Sequence, residues 1–210
     1  MQKVVPAILT KSSQELQAQL RTLKDKSRWV QIDIMDGKFV PSVSINLVQL
    51  QEASQFFNLE IHLMVKDPEK YLEDCAGVRA KRVIFHVEAS ENSDMVLEEM
   101  QKYDFQKGIA VNPLTSVEAV KHLMFKIDSV LLLSVVPGAQ GHEFIPEVTE
   151  KISDIKALNE KLLVGMDGGI GKGNIQDIFT RGVDYIIAGS AIWQADDSIA
   201  SLRELQGMVS

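Results

Sequence analysis

Acidic and imidazole side chains stand inside or at the ends of several apolar runs of this sequence. Asp33 lies within Gln31-Ile32-Asp33-Ile34-Met35, His62 within EIHLMV, His86 and Glu88 within FHVE, and Asp167 at the end of VGMD. A carboxylate buried in such a run must find a cation, a base or a hydrogen-bond network, or else take up a proton. Two acids and a histidine are donors suited to a divalent metal and to acid/base chemistry. Each also has a plainer reading. Asp33 could cap the loop that follows it, and His62 could be a hydrogen-bonded core histidine. Convergence of the three on one axis favours the site. For His86 and Glu88 two readings stay open, support of that site or simple structure. His122 lies in a helical segment and reads as solvated.

Glycines mark a second feature. They cluster in VVPGAQGHEF (135–144), DGGIGKGN (167–174) and AGSAI (188–192). Glycine permits close backbone approach, and loop N–H groups bind anions. One such loop would be an ordinary turn. Three in succession at one end of a fold point to a small phosphorylated molecule.

The elements that must position these groups follow from the pattern. Apolar runs occur at 4–9, 29–35, 59–65, 82–88, 107–111, 129–135, 162–167 and 185–190. Most are nearly continuous in Val, Ile and Leu, as strands covered on both faces are. Helical patterns fall between them. Residues 13–24 follow Ser12 and Ser13 as caps, 68–76 open on Pro68, and 116–124 begin after Thr115. The pattern over 145–160 predicts the longest helix. Eight strands in strict alternation with helices predict an α/β fold, a (β/α)8 TIM barrel forming a single domain over 1–210. The rival, an open doubly wound sheet, lacks a Gly-rich dinucleotide fingerprint after its first strand. In a barrel the polar residues late in each strand gather at one face. Alternation puts Gln31 and Asp33 on the same side of their strand.

The chain has 210 residues and a net charge of -7. That charge argues against a general nucleic-acid or anionic-membrane binder, though not against an anionic substrate. Cys75 is the single cysteine, so no intrachain disulfide forms, and a cytoplasmic setting is the expectation. The start of the chain shows no signal-peptide pattern, and no segment approaches the length of a membrane span.

With these residues in place, the sequence resembles the ribulose-phosphate 3-epimerase family over nearly its whole length. The stretches that carry the resemblance include IDIMDGKFVPS (32–42), IHLMVKDPEKY (61–71), FHVEAS (85–90), LSVVPG (133–138), MDGG (166–169) and AGSAI (188–192). The resemblance implies inversion of the carbon beside a ketone in a ketopentose 5-phosphate, with D-ribulose 5-phosphate and D-xylulose 5-phosphate as the default pair. It implies that Asp33 and Asp167 are acid and base, and that they and His62 hold a divalent metal such as Zn, Fe, Mn or Co. Met35 and Met64 would wall the substrate. Gly138, Ala139, Gln140, Gly141, Gly168, Gly169, Gly189 and Ser190 would bind it through its phosphate. The family often forms homo-oligomers, and nothing in the sequence fixes the number of copies.

The sequence also departs from the family pattern. Gln31 stands where the family has a histidine that binds the metal. Glutamine offers a neutral carbonyl oxygen, a weaker ligand for zinc than imidazole, so weaker metal binding is expected. Ala7 replaces a serine and Leu133 a methionine. The loop Pro137-Gly138-Ala139-Gln140-Gly141-His142 replaces a pattern richer in glycine. These changes keep two alternatives in view, an epimerase for another ketose phosphate and a non-catalytic sugar-phosphate-binding barrel. A decarboxylase of the orotidine-phosphate type fits less well, because Met35 stands where that group carries a lysine.

Overall fold

Val, Ile and Leu recur in eight short runs, and each run is a parallel strand in the computed structural model, which describes residues 2–137 and 143–209. The strands are β1 (Val4–Ile8), β2 (Trp29–Met35), β3 (Asn58–Met64), β4 (Arg82–His86), β5 (Gln106–Val111), β6 (Ser129–Leu133), β7 (Leu163–Asp167) and β8 (Tyr185–Ala188). They pair in sequence order, and β1 pairs with β8, so the sheet is a closed barrel. Closure excludes the open doubly wound alternative.

The helices are α1 (Ser13–Leu23), α2 (Leu72–Gly77), α3 (Ser93–Met100), α4 (Val117–Val120), α5 (Glu150–Leu158), α6 (Ile175–Thr180), α7 (Ser190–Trp193) and α8 (Ser198–Gly207). Their alternation with the strands is not strict. Between β2 and β3 the chain makes two 3-10 turns, Leu47–Leu50 and Ala53–Gln55, in place of an α-helix. The three-residue repeat sets Leu47 and Leu50 on one side, and both are buried. The predicted long helix also differs. It opens as a 3-10 turn at Pro146–Thr149 and continues as α5, nine residues long, whereas α1 has eleven. Ser12 caps α1 by accepting the Glu15 N–H, and Ser13 is already helical. Ser116, not Thr115, caps α4. Thr115 instead donates its hydroxyl to Glu88.

Two large apolar cores result, with a small third cluster of Met35, Val40 and Met64. One fills the layer between strands and helices, where Leu16, Leu20, Leu72, Ile152, Ile178 and Leu202 meet the outward faces of the strands. The other lies inside the barrel and is smaller, built from Val5, Ala7, Ile84, Ala110, Leu131, Leu133, Tyr185 and Ile187. Within the barrel Tyr185 needs the missing side chain of Gly165. A Cβ added at Gly165 would stand 2.4 Å from the ring carbon Cζ of Tyr185. Gly165→Ala should therefore destabilise the fold by about 1–3 kcal/mol, the usual cost of overpacking, measurable by denaturant unfolding.

Below the polar mouth runs a buried ionic layer. Arg82 donates to Glu60 Oε2 at 2.6 Å and to Gln106 Oε1 at 3.1 Å. Its guanidinium lies between the rings of Trp29 and Tyr185, 4.8 and 4.9 Å from their centroids. Register pairs Gln31 with Glu60 and Glu60 with Arg82.

Candidate active site

Strand pleating and register set the site. Asp33 on β2 faces His62 on β3 as a direct register pair, and Asp167 ends β7 beside Leu133. Asp33 and His62 are buried, whereas the Asp167 side chain keeps 18% exposure. The three ligand atoms all lie within 4.8 Å of one another. His62 Nδ1 stands 3.1 Å from Asp33 Oδ1 and 3.8 Å from Asp167 Oδ2. Gln31 lies beneath them with no exposure. Its amide nitrogen donates to Asp33 Oδ1 at 2.8 Å and to Asp167 Oδ2 at 3.0 Å.

The close acids perturb one another. Burial, and then the Asp33 charge, push the Asp167 carboxyl up to about 7, against the pull of His62 and Gln31. Burial works against a charged His62. The hydrogen bond and charge of Asp33, with the charges of Asp167 and Glu60, outweigh it and hold that imidazole above its usual range. Two oxygens and one imidazole nitrogen at this spacing fit a divalent cation. The Gln31 carbonyl oxygen, at the other end of the amide from these contacts, is buried and accepts no hydrogen bond.

A cavity opens over this cluster. Asp33, His62 and Asp167 form its floor, with Met35 and Met64 on one side. Gly168, Gly169, Gly189 and Ser190 line it too, as do Ala7 and Leu133, two of the positions that depart from the family pattern. Gly168 has a φ of +111°, and a Cβ there would meet Val135 Cγ2 at 2.4 Å, so this turn requires glycine. Gly138, Ala139, Gln140 and Gly141 lie outside the described residues, as does His142.

Several contributors were not singled out from the sequence. Ser44 donates to the Asp33 carbonyl at 2.8 Å and accepts the Met35 N–H at 2.9 Å. Ser134 donates to the Gly168 carbonyl at 2.6 Å, and its own N–H reaches the Asp167 carbonyl at 2.8 Å. Asp36 accepts N–H groups from Lys38, Phe39 and Lys66 at 2.9, 3.1 and 3.0 Å. Burial opposes ionisation of Asp36, but those three donors outweigh it and lower its pKa. The Asp-Gly pair at the end of a strand was the available signal for Asp36. A lone serine carries none.

His86 and Glu88 extend the cluster sideways. His62 Nε2 lies 3.0 Å from His86 Nε2, and His86 Nδ1 lies 3.4 Å from Glu88 Oε2. Glu88 in turn accepts the Asn112 N–H at 2.9 Å. Both residues therefore back His62. Burial first, and the His62 charge after it, depress His86 to about 4 against the opposing pull of Glu88 and Asn112. The Phe39 ring packs 4.9 Å from the His86 ring. The unfolded chain would protonate His86 near 6.5, the folded protein only near 4. Stability from this group is thus full above 6.5 and is lost as pH falls toward 4. His86→Gln removes that loss. The melting advantage of wild type over His86→Gln should shrink between pH 7 and pH 4.

The fold and the cluster together define a (β/α)8 barrel with an acid–imidazole site at the C-terminal ends of its strands. The ribulose-phosphate 3 epimerase family matches residues 3–193, and the chain belongs to that family. It is 34% identical over 191 residues to the ribulose-phosphate 3-epimerase of Mycobacterium leprae, covering 87% of this chain and 85% of that protein. It is 29% identical over 215 residues to the Bacillus subtilis enzyme of that name, covering 99% of each. Among solved structures, 3-hexulose-6-phosphate synthase superposes with a TM-score of 0.71 at 14% identity, covering 99% of this chain and all (100%) of that one. Orotidine 5'-phosphate decarboxylase from Pyrococcus horikoshii does so with 0.69 at 16% identity, covering 98% of each. At those identities the likeness is one of fold alone. No helix among the described residues is long and apolar enough to cross a membrane.

Proposed function

We propose that this protein interconverts D-ribulose 5-phosphate and D-xylulose 5-phosphate by moving a proton at C3. The observation that carries the reading is the pairing of Asp33 and Asp167, two carboxylates joined through one amide at the floor of one cavity. They come from β2 and β7, strands separated around the barrel by β1 and β8. A substrate carbon between them meets one carboxylate on each face. One carboxylate removes the C3 proton, and the electrons move into the neighbouring carbonyl to give an enediolate. The other, in its acid form, returns a proton to the opposite face, which inverts C3. Without a cation, burial and the Asp33 charge favour a proton on Asp167, so the two carboxyls start from unlike surroundings.

Asp33, His62 and Asp167 would hold a divalent metal, which when bound supplies positive charge to the developing enediolate oxygens. Met35 and Met64 wall the sugar and exclude water. Gly168, Gly169, Gly189 and Ser190 line the cavity, and their backbone N–H groups and the Ser190 hydroxyl are the donors we assign to the phosphate. The relatives' name, ribulose-phosphate 3-epimerase, supports a ribulose phosphate as substrate and carbon 3 as the centre inverted.

The test is proton NMR of D-ribulose 5-phosphate in D2O with the protein and added divalent metal. Deuterium at C3 together with a growing xylulose 5-phosphate signal is the expected result. Binding of the sugar phosphate with no exchange under any metal would replace this reading with that of a non-catalytic barrel.

A further inference from the structure

The two ends of the Gln31 amide have different surroundings. The nitrogen donates to Asp33 Oδ1 at 2.8 Å and Asp167 Oδ2 at 3.0 Å, and stands 3.5 Å from His62 Nδ1. The oxygen is buried and accepts nothing. The neighbours dictate this orientation. An amide oxygen turned toward two carboxylates would set three acceptors against one another. An N–H2 group turned toward them bridges both.

A cation among the three ligand atoms reverses that preference. It repels the amide N–H groups and attracts the carbonyl oxygen. A half-turn about the terminal bond of Gln31 exchanges the two ends with little change of shape. The layer below is prepared for the exchange. Glu60, the register partner of Gln31 on β3, also carries a buried carboxylate oxygen, Oε1, with no donor. The displaced N–H2 group is the kind of donor that such an acceptor lacks.

We propose that Gln31 is an amide latch on the metal site. Without a cation its nitrogen holds Asp33 and Asp167 together. When a divalent cation enters, the amide turns and Gln31 Oε1 becomes the fourth ligand. The donor set is then three oxygens and one imidazole nitrogen. Such a set favours harder cations over zinc more than a set with a second imidazole does. The inference rests on the metal reading of the site given above.

Calorimetric titration of the metal-free protein with Zn2+ and with Mn2+ tests it, alongside the Gln31→His variant. The variant should gain about 10–100-fold in zinc affinity and much less for manganese, so that the zinc-to-manganese ratio rises at least about tenfold. An unchanged ratio in a folded variant that binds both metals would overturn the latch and leave the metal reading intact. Failure of both proteins to bind either metal would remove the metal reading and the latch with it. A measurement on wild type stands apart from the folding of the variant. The side-chain amide resonances of Gln31 should move on saturation with Zn2+, and resonances that stay in place while zinc binds would also overturn the proposal.

Discussion

Asp33→Asn and Asp167→Asn should each cut interconversion of the two ketose phosphates by at least about 100–10,000-fold, the range for loss of a general acid or base. The informative difference lies in isotope exchange. With a carboxylate on each face, each residue serves as base for only one epimer. One variant should still wash deuterium into ribulose 5-phosphate without making xylulose 5-phosphate, and the other should do the reverse. Asparagine keeps the size of aspartate and one carbonyl oxygen in its place, so the floor of the site should persist. Exchange into both epimers by the same variant would mean that one group works on both faces. The two-carboxylate reading would then fail.

Glu60→Met should lower stability by about 3–5 kcal/mol, because it leaves a buried guanidinium without its carboxylate. For a chain of this size that corresponds to a fall of roughly 6–20 °C in melting temperature. Arg82 is 2% exposed and Glu60 fully enclosed, so solvent offers neither a substitute partner. The double variant Glu60→Met/Arg82→Met should recover much of the loss, since apolar side chains can replace a buried ion pair at little cost. Thermal unfolding of the three proteins settles the comparison. If the single and double variants melt together, removing the guanidinium relieves nothing, and the loss is not the cost of an unpaired Arg82.

The barrel was legible because its signal is repeated. Eight apolar runs of similar length overdetermine the strand count, and each observed strand falls within two residues of its run. The connections were less legible because they are short and locally weak. The β2–β3 link has buried leucines at three-residue spacing, which serves a 3-10 turn as readily as an α-helix. The meeting of Asp33, His62 and Asp167 followed from period-two alternation and the shared face of a barrel. The ionic layer beneath did not stand out, because Arg82 opens β4 and Glu60 lies near the start of β3, where charged residues are usually solvated. The direction of the Gln31 amide was not legible at all. It depends on which atoms of β2 and β7, far apart in the chain, come within about 3 Å, and sequence spacing holds no such information.

Asp36 gathers N–H groups from two successive strand-end loops into one carboxylate. Met35 and Met64, the two walls beside it, thus share a common anchor. For anyone reshaping the pocket toward a larger or smaller sugar, the β2 and β3 loops form one module to be exchanged together. A graft of either loop alone would leave part of that carboxylate unsatisfied and loosen the wall it was meant to redesign. Directed evolution should accordingly find substitutions in these two loops in pairs, with Asp36 retained as the seam between them.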